Sequence, residues 1–165
     1  MKYAIWLIPK DDNKFLCSTI DSLVKRYDAV KFTPHVTLHT FDKMQDIKLR
    51  NIFKNITGLS VIIKGVCSTE AYFKSIFLDI AMNCHLGALN NIAKENFPND
   101  EYIFNPHLSL LYIKTSLQKK REISKEVSGF PEIIEFEKAC VVELHSNEED
   151  KGAFPWYETL NEHKF

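Results

Sequence analysis

One short motif occurs twice in this chain of 165 residues. Segment 34–38 reads Pro-His-Val-Thr-Leu, and segment 106–110 reads Pro-His-Leu-Ser-Leu. Each copy has a proline, a histidine, an apolar residue, a hydroxyl residue and a leucine, in that order. Because related segments adopt related local structures, the repeat predicts a fold built from two similar halves.

Each copy is typical of a β-strand that is entered through a proline. Proline has no N–H to donate to a sheet, so it belongs at the first residue or at the edge of a strand. Side chains two residues apart in a strand lie on the same face. We therefore expect His35 and Thr37 to share a face, and His107 and Ser109 to do the same, with the apolar residues of each motif buried behind them.

These residue types fit proton transfer at a phosphate group. Imidazole can take or give a proton near neutral pH, and a hydroxyl can donate to an anionic oxygen. If the copies face each other, the site holds one base, one acid and two hydroxyl donors, as in-line displacement at phosphorus requires. Neither copy has an acidic cluster that would hold magnesium, so we expect no metal and no cofactor.

A lone histidine in an apolar strand is usually structural, but the paired pattern is hard to explain as core packing. We interpret His35 and His107 as catalytic residues, and Thr37 and Ser109 as substrate-binding residues.

His39 calls for a separate interpretation. Simple alternation puts it on the face of His35, where it could extend the site. The second copy has Leu111 at that position, so we interpret His39 as a structural or surface residue.

Apolar periodicity and capping residues predict alternating strands and helices. Besides the two motif strands, we expect strands over 3–8, 59–66, 71–80, 133–144 and 154–160. We expect helices over about 15–27, 44–55, 84–97 and 117–127. The candidate N-caps of these helices are Asp11, Asp12 or Asn13, then Asp42, Asn83 and Ser116. This order predicts an α+β protein, and we expect a single domain over residues 1–165.

Composition narrows the partners and the compartment. The net charge of −1 argues against a strong hold on long nucleic acid, but it leaves room for a small anionic ligand. No apolar stretch approaches the roughly 20 residues that a membrane span needs, and the N-terminus lacks the pattern of a secretory signal. The four cysteines form no C-x-x-C pair. We expect a cytoplasmic monomer with free, buried thiols and no membrane association.

The two motifs resemble those of the 2H phosphoesterase superfamily. Segment 105–112, Asn-Pro-His-Leu-Ser-Leu-Leu-Tyr, is similar to the second motif of the cyclic nucleotide phosphodiesterases of plants and yeast. Segment 4–9, Ala-Ile-Trp-Leu-Ile-Pro, resembles their first strand. The resemblance implies a bilobal fold with two pseudo-symmetric halves, antiparallel sheets lining a central cleft and helices outside.

The resemblance also implies an activity. It is that of a metal-independent cyclic phosphodiesterase, which hydrolyses nucleoside 2',3'-cyclic phosphates to 2'-phosphates. The other implied substrate is the ADP-ribose 1'',2''-cyclic phosphate left by tRNA splicing, which is opened to the 1''-phosphate. The resemblance suggests His107 as the base and His35 as the acid, although the sequence itself is symmetric about these roles.

Tyr112 matches an active-site tyrosine of the resembled family. Simple alternation would place it opposite His107, so a bulge or a strand end must turn it inward. Its ring could stack on a base, or its hydroxyl could reach the phosphate. Three further aromatic residues are candidate platforms for a base, although such residues more often belong to the core: Trp6, Phe73 and Trp156.

The sequence leaves other functions open. The same two strands would serve an enzyme that cleaves 2'-5'-linked oligoadenylates or cyclic oligonucleotides, or one that joins or opens RNA ends. The partner would then be a short RNA or oligonucleotide. The tyrosine after the second motif resembles the mononucleotide branch of the superfamily, and this resemblance favours a mononucleotide substrate. A binding module that holds a nucleotide cyclic phosphate without hydrolysing it is the non-enzymatic alternative.

Overall fold

The computed structural model describes residues 2–10, 13–43, 49–99, 101–145 and 157–165. Within these ranges the chain forms an α+β fold of seven strands and four helices, as the sequence predicts. The elements in chain order are β1 (Lys2–Pro9), α1 (Lys14–Tyr27), β2 (Val36–Phe41), α2 (Leu49–Phe53), β3 (Leu59–Ser68), β4 (Ile76–Ile80), α3 (Cys84–Asn96), β5 (His107–Leu111), α4 (Leu117–Glu126), β6 (Ile133–Leu144) and β7 (Tyr157–Lys164).

Three of the helices begin at side-chain caps that the sequence predicts. The side chain of Asn13 accepts a backbone N–H three residues later at 3.2 Å, that of Asn83 at 2.8 Å and that of Ser116 at 3.2 Å. Each of these bonds satisfies one N–H that has no partner within the first turn. The caps therefore fix where α1, α3 and α4 start.

The seven strands form one antiparallel sheet in the order β1-β2-β5-β4-β3-β6-β7. Because β1 also pairs with β6, six of these strands close into a ring, and β7 extends from β6. The ring consists of two halves of three strands each, β6-β1-β2 and β3-β4-β5. The halves join where β2 pairs with β5 and where β6 pairs with β3, so the strand order is symmetric. The expected two related halves are confirmed, and their strands are continuous with each other.

Each half of the fold packs a helix against the motif strand of the other half. One half contains β1, α1, β2 and α2 in sequence, and the other contains β4, α3, β5 and α4. Helix α1 packs against β5, and α3 packs against β2. Each motif strand is therefore covered by a helix from the opposite half, which couples the positions of the two motifs.

The main core lies on the helix-covered face of the motif strands. The side chains of Val36, Leu38, Leu108 and Leu110 are fully buried in it. A second, smaller apolar cluster lies on β1 and β6 and includes Trp6 and Cys140. Because alternate residues of a strand face opposite ways, burying the apolar residues leaves the polar residues of both motifs on the other face.

Three predicted elements differ from those observed. The strand expected over 71–80 is limited to Ile76–Ile80, because residues 69–75 form a loop. The hydroxyl of Ser75 lies 2.6 Å from the carbonyl oxygen of Tyr72 and 3.1 Å from that of Ile113, and such side-chain bonds compete with sheet pairing. Of the helix expected over 44–55, Leu49–Phe53 is helical and 44–48 lie outside the described residues. Of the strand expected over 154–160, the described part starts at Tyr157 and β7 continues to Lys164.

All four cysteines are free thiols, as predicted, although only Cys140 is buried. None of the helices in the described ranges is long and apolar enough to cross a membrane.

Candidate active site

The two motif strands are neighbours in the sheet. Val36 pairs with Leu108 in antiparallel register, and these residues occupy equivalent positions in the repeated motif. An antiparallel pair of equivalent residues has a local twofold axis through its midpoint. Continuing the register by one residue on each side puts Thr37 opposite His107 and His35 opposite Ser109.

His35 directly precedes β2 and His107 is the first residue of β5, so the extended register puts the two imidazoles diagonally across the strand pair on one face. Diagonal positions in an antiparallel pair are about 7–8 Å apart. The charges of the two rings interact, since His107 contributes to lowering the pKa of His35. The structure thus brings together the pair of histidines that the sequence predicts.

Each motif strand contains a β-bulge at its last leucine. Thr37 pairs with Trp6 while His39 pairs with Ile5, so Leu38 is an extra residue in β2. In β5, Ser109 pairs with Phe77 while Leu111 pairs with Ile76, so Leu110 is an extra residue there. The bulges are related by the same symmetry as the motifs, and each reverses the side-chain alternation beyond it.

The bulge in β2 corrects the expected position of His39. This histidine does not share the face of His35, because the extra residue Leu38 breaks the alternation between them. Its side chain is fully buried, and its Nε2 lies 2.6 Å from the carbonyl oxygen of Phe97. The interpretation of His39 as a structural residue is confirmed.

The bulge in β5 is the one that the position of Tyr112 requires. Beyond it, β5 ends at Leu111, and the Tyr112 hydroxyl turns toward Ser109 and forms a hydrogen bond with it. The ring of Tyr112 stacks on Phe32, with the centroids 4.1 Å apart, and burial raises the pKa of its hydroxyl. Since one face of the ring is covered, the hydroxyl is the group that lies toward the motif residues.

Both catalytic candidates are oriented by the same backbone contact. The Nδ1 of His35 lies 2.7 Å from the carbonyl oxygen of Thr33, and the Nδ1 of His107 lies 2.8 Å from that of Asn105. A carbonyl can only accept, so each Nδ1 carries the proton and each Nε2 remains for proton transfer. In both copies the accepting residue precedes the proline, and a residue in that position is held in an extended conformation. We did not predict this contact, although the shared X-Pro-His order was a usable signal.

His35 lies in an aromatic environment. Its ring stacks on Trp6, with the centroids 3.6 Å apart and the planes 12° from parallel. The edge of Phe32 lies on another side, 6.5 Å away between centroids. Burial lowers the pKa of His35 to about 4; the Thr33 carbonyl raises it in part, and the charge of His107 lowers it further. His35 is therefore neutral at pH 7 unless an anion lies beside it.

His107 lies in a more polar environment. It pairs across the sheet with Asp79, and its ring is 5.4 Å from that of Phe77. Burial lowers the pKa of His107, the Asn105 carbonyl raises it, Lys74 lowers it and Asp79 raises it. No feature of the sequence had pointed to Phe77, Lys74 or Asp79, because their proximity depends on the pairing of β4 with β5.

The two hydroxyl residues differ in their present contacts. The Thr37 hydroxyl forms no hydrogen bond with any residue that the structure describes. The Ser109 hydroxyl donates to the carbonyl of Phe73 at 3.0 Å. Ser109 must turn away from that carbonyl before it can donate to a substrate oxygen.

The aromatic candidates for a base platform fall in different places. Trp6 is buried, with 2% of its surface exposed, and is covered by His35 on one face. Phe73 is 39% exposed, so it can contact a ligand. Trp156 lies outside the described residues. Among the residues that the structure covers, no three His, Cys, Asp or Glu side chains are grouped to hold a metal ion.

Comparison with known proteins gives a family and a fold. The family model described as cyclic phosphodiesterase-like protein matches residues 1–149. The crystal structure of Escherichia coli LigT complexed with 3'-AMP is similar, with a TM-score of 0.61 and 12% identity over 99% of this chain and 97% of that one. The crystal structure of TT0787 of Thermus thermophilus is similar as well, with a TM-score of 0.59 and 13% identity over 99% and 97% of the two chains. No curated protein sequence matches the chain.

Proposed function

The chain belongs to the cyclic phosphodiesterase-like family, and we propose that it hydrolyses cyclic phosphodiesters of ribose by proton transfer at His35 and His107. The substrates we propose are nucleoside 2',3'-cyclic phosphates, opened to 2'-phosphates, and ADP-ribose 1'',2''-cyclic phosphate, opened to the 1''-phosphate. The observation that carries the proposal is the matched pair of Nδ1 contacts, which leaves two Nε2 atoms available on one face of the sheet.

The reaction proceeds by in-line displacement. Thr37 and Ser109 donate to the free oxygens of the phosphodiester. A water molecule attacks phosphorus and loses a proton to the Nε2 of His107, while the bond from phosphorus to one ribose oxygen breaks. The Nε2–H of His35 gives its proton to that departing oxygen. The water oxygen ends on phosphorus, and exchange with solvent restores both histidines.

The surroundings of the two histidines support this assignment of roles. His107 is only partly buried, so an attacking water can reach its Nε2. His35 is enclosed by Trp6 and Phe32 and has a pKa of about 4, so its imidazolium releases a proton readily. A bound phosphodiester anion offsets the effect of burial, and the face of Trp6 also favours the imidazolium. His35 therefore becomes charged when substrate binds.

Nucleotides are the ligand class that the comparisons support. Escherichia coli LigT has been crystallised with 3'-AMP, with ATP and with NADP+. We propose that this chain likewise takes a nucleotide, with the exposed ring of Phe73 against the base. Base–aromatic stacking is worth about 1–3 kcal/mol per base and tolerates different bases.

A product analysis tests the proposal. The purified protein is incubated in EDTA with nucleoside 2',3'-cyclic phosphates, ADP-ribose 1'',2''-cyclic phosphate and 2'-5' oligoadenylate, and the phosphate position in each product is determined. We expect the 2'-phosphate and the 1''-phosphate, at rates that the chelator does not change. Cleavage of the oligoadenylate alone would contradict the proposal, as would binding without turnover or a requirement for a divalent ion.

A further inference from the structure

Lys74 carries an ammonium group beside the active-site face, which is the face of the sheet that holds His35, His107 and Ser109. Its Nζ lies 4.6 Å from the centroid of the Phe77 ring. In the described ranges it forms no ion pair with a carboxylate. Asp79 instead pairs with Lys64 at 2.6 Å. Asp79 acts on Lys74 beyond ion-pair distance, and its charge raises the pKa of the ammonium.

Lys74 and His107 flank the same aromatic ring. The centroid of Phe77 is 5.4 Å from that of His107, and the ammonium is near enough to lower the pKa of that histidine. The opposite end of the face, around His35, is lined by the aromatic rings of Trp6 and Phe32. One end of the site is thus positively charged, and the other is apolar.

The loop that carries Lys74 is held in place from two sides. The buried ammonium of Lys120 donates to the carbonyl oxygens of Thr69 at 3.1 Å and of Glu70 at 2.8 Å. The hydroxyl of Thr69 donates to the carbonyl of Lys74 at 2.5 Å, and Ser75 is bonded within the loop. Binding at a position that is already ordered loses little conformational entropy.

A half-buried cation that forms no ion pair with any described residue favours an anionic ligand. Burial lowers the pKa of Lys74 and Lys64 lowers it further, while Asp79 and Cys67 raise it. An anion in contact with the ammonium would offset this desolvation and gain a charge-assisted hydrogen bond. The two histidines would act on one phosphate at this face, and Lys74 lies beside the Phe77 ring, next to His107 and away from His35.

We propose that Lys74 forms a subsite for a second phosphoryl group of the same substrate. This rests on the proposed function, since the first phosphoryl group is the cyclic phosphate held between His35 and His107. The substrates favoured are ribose cyclic phosphates that carry a further phosphate or diphosphate ester, over nucleosides whose cyclic phosphate is the only charged group.

Product binding tests the subsite apart from catalysis. The affinities of a nucleoside 2'-phosphate and of the same nucleoside 2',5'-bisphosphate are measured by calorimetry for the native chain and three variants. We expect the native chain to bind the bisphosphate about tenfold more tightly. Lys74→Met should abolish this preference and Lys74→Arg should keep it. Lys119→Met, which removes an exposed charge paired with Glu122, should leave it unchanged.

The outcomes separate this inference from the proposed function. Equal native affinities for the two ligands, no binding of either, or equal weakening of both by Lys74→Met would overturn the subsite. Turnover of nucleoside 2',3'-cyclic phosphates with and without a 5'-phosphate is measured in parallel. A Lys74-dependent preference in binding without any turnover would keep the subsite and refute the proposed function. If turnover is the same with and without the 5'-phosphate and is unchanged by Lys74→Met, the proposed function stands and the subsite is refuted.

Discussion

Val36 and Leu108 pair directly across β2 and β5, and each residue follows the histidine of its own motif. Because the pair is antiparallel, this one contact relates the two motifs by a local twofold axis. The histidines, the hydroxyls, the bulges and the Nδ1 contacts all come in symmetric pairs about it. The two sides differ in their surroundings, since His35 stacks on Trp6 and His107 lies beside Phe77 and Asp79.

Replacing either histidine by asparagine should abolish turnover and leave the fold intact. Asparagine keeps a donor near the position of Nδ1, for the carbonyls of Thr33 and Asn105, but it has no group at Nε2. General acid or base catalysis contributes about 10²–10⁴ in rate, so His35→Asn and His107→Asn should each lose at least that factor in kcat for a 2',3'-cyclic nucleotide.

The matched control is His85→Asn, which changes an exposed histidine of α3 and should leave kcat unchanged. Circular dichroism shows whether each variant is folded. Turnover within a factor of a few of the native value in both motif variants would contradict the two-histidine mechanism.

The folded protein should lose stability as the pH falls, because of His35. Its ordinary pKa of 6.5 is lowered to about 4 in the folded state. Between these values the unfolded chain binds a proton that the folded chain does not, so the free energy of unfolding decreases as the pH is lowered. The contribution is about 3 kcal/mol when the pH has fallen below the folded value.

Urea unfolding at a series of pH values from about 7 to about 4 measures this effect. His35→Asn cannot titrate, so its unfolding free energy should vary less with pH than that of the native chain. His85→Asn should retain the native dependence. If His35→Asn loses as much unfolding free energy at low pH as the native chain, His35 is not the source of the pH dependence.

Trp6 should be needed to orient His35. Its indole ring lies 3.6 Å from the imidazole between centroids, and Trp6→Leu would remove this wall and admit water. We expect kcat to fall about tenfold and the pKa of His35 to rise toward its ordinary value as the desolvation decreases. NMR titration of the His35 ring measures the pKa.

Trp6→Phe keeps an aromatic wall and should retain most of the activity. An unchanged His35 pKa in Trp6→Leu would contradict the idea that stacking on the indole excludes water from the imidazole.

Lys120 should contribute to stability through the loop of residues 69–75. Only 2% of this residue is exposed, and its Nζ donates to the carbonyls of Thr69 and Glu70. Lys120→Met would remove these charge-assisted hydrogen bonds, at a cost of about 1–3 kcal/mol, measured as the change in unfolding free energy in urea. Lys119→Met on the same helix is the control. Equal unfolding free energies for the two variants would contradict this role.

Much of the site was predictable because it depends on local patterns. The period of two along a strand puts His35 with Thr37 and His107 with Ser109 wherever the strands lie. The helix caps at Asn13, Asn83 and Ser116 depend on residues only three positions apart. The fold class follows from the same local periodicities.

Other features were mispredicted or missed because they depend on partners distant in sequence. A bulge is defined by two strands, so the sequence of β2 alone could not show that His39 turns away from His35. The loop at 69–75 contains residues of high strand propensity, but bonds from Ser75 and Lys120 hold it out of the sheet. Propensity is a weak guide where tertiary contacts of this kind compete with it.

The amino-acid sequence by itself determined which reactive groups the protein has and how they are grouped within each motif, because both are set by residue type and local backbone geometry. Only the tertiary structure decided that the two motifs are antiparallel neighbours. It also decided that Trp6 lies against His35, and that Phe77 and Lys74 lie beside His107. Those contacts arise from strand register and from packing between distant segments. They give chemically similar histidines different environments.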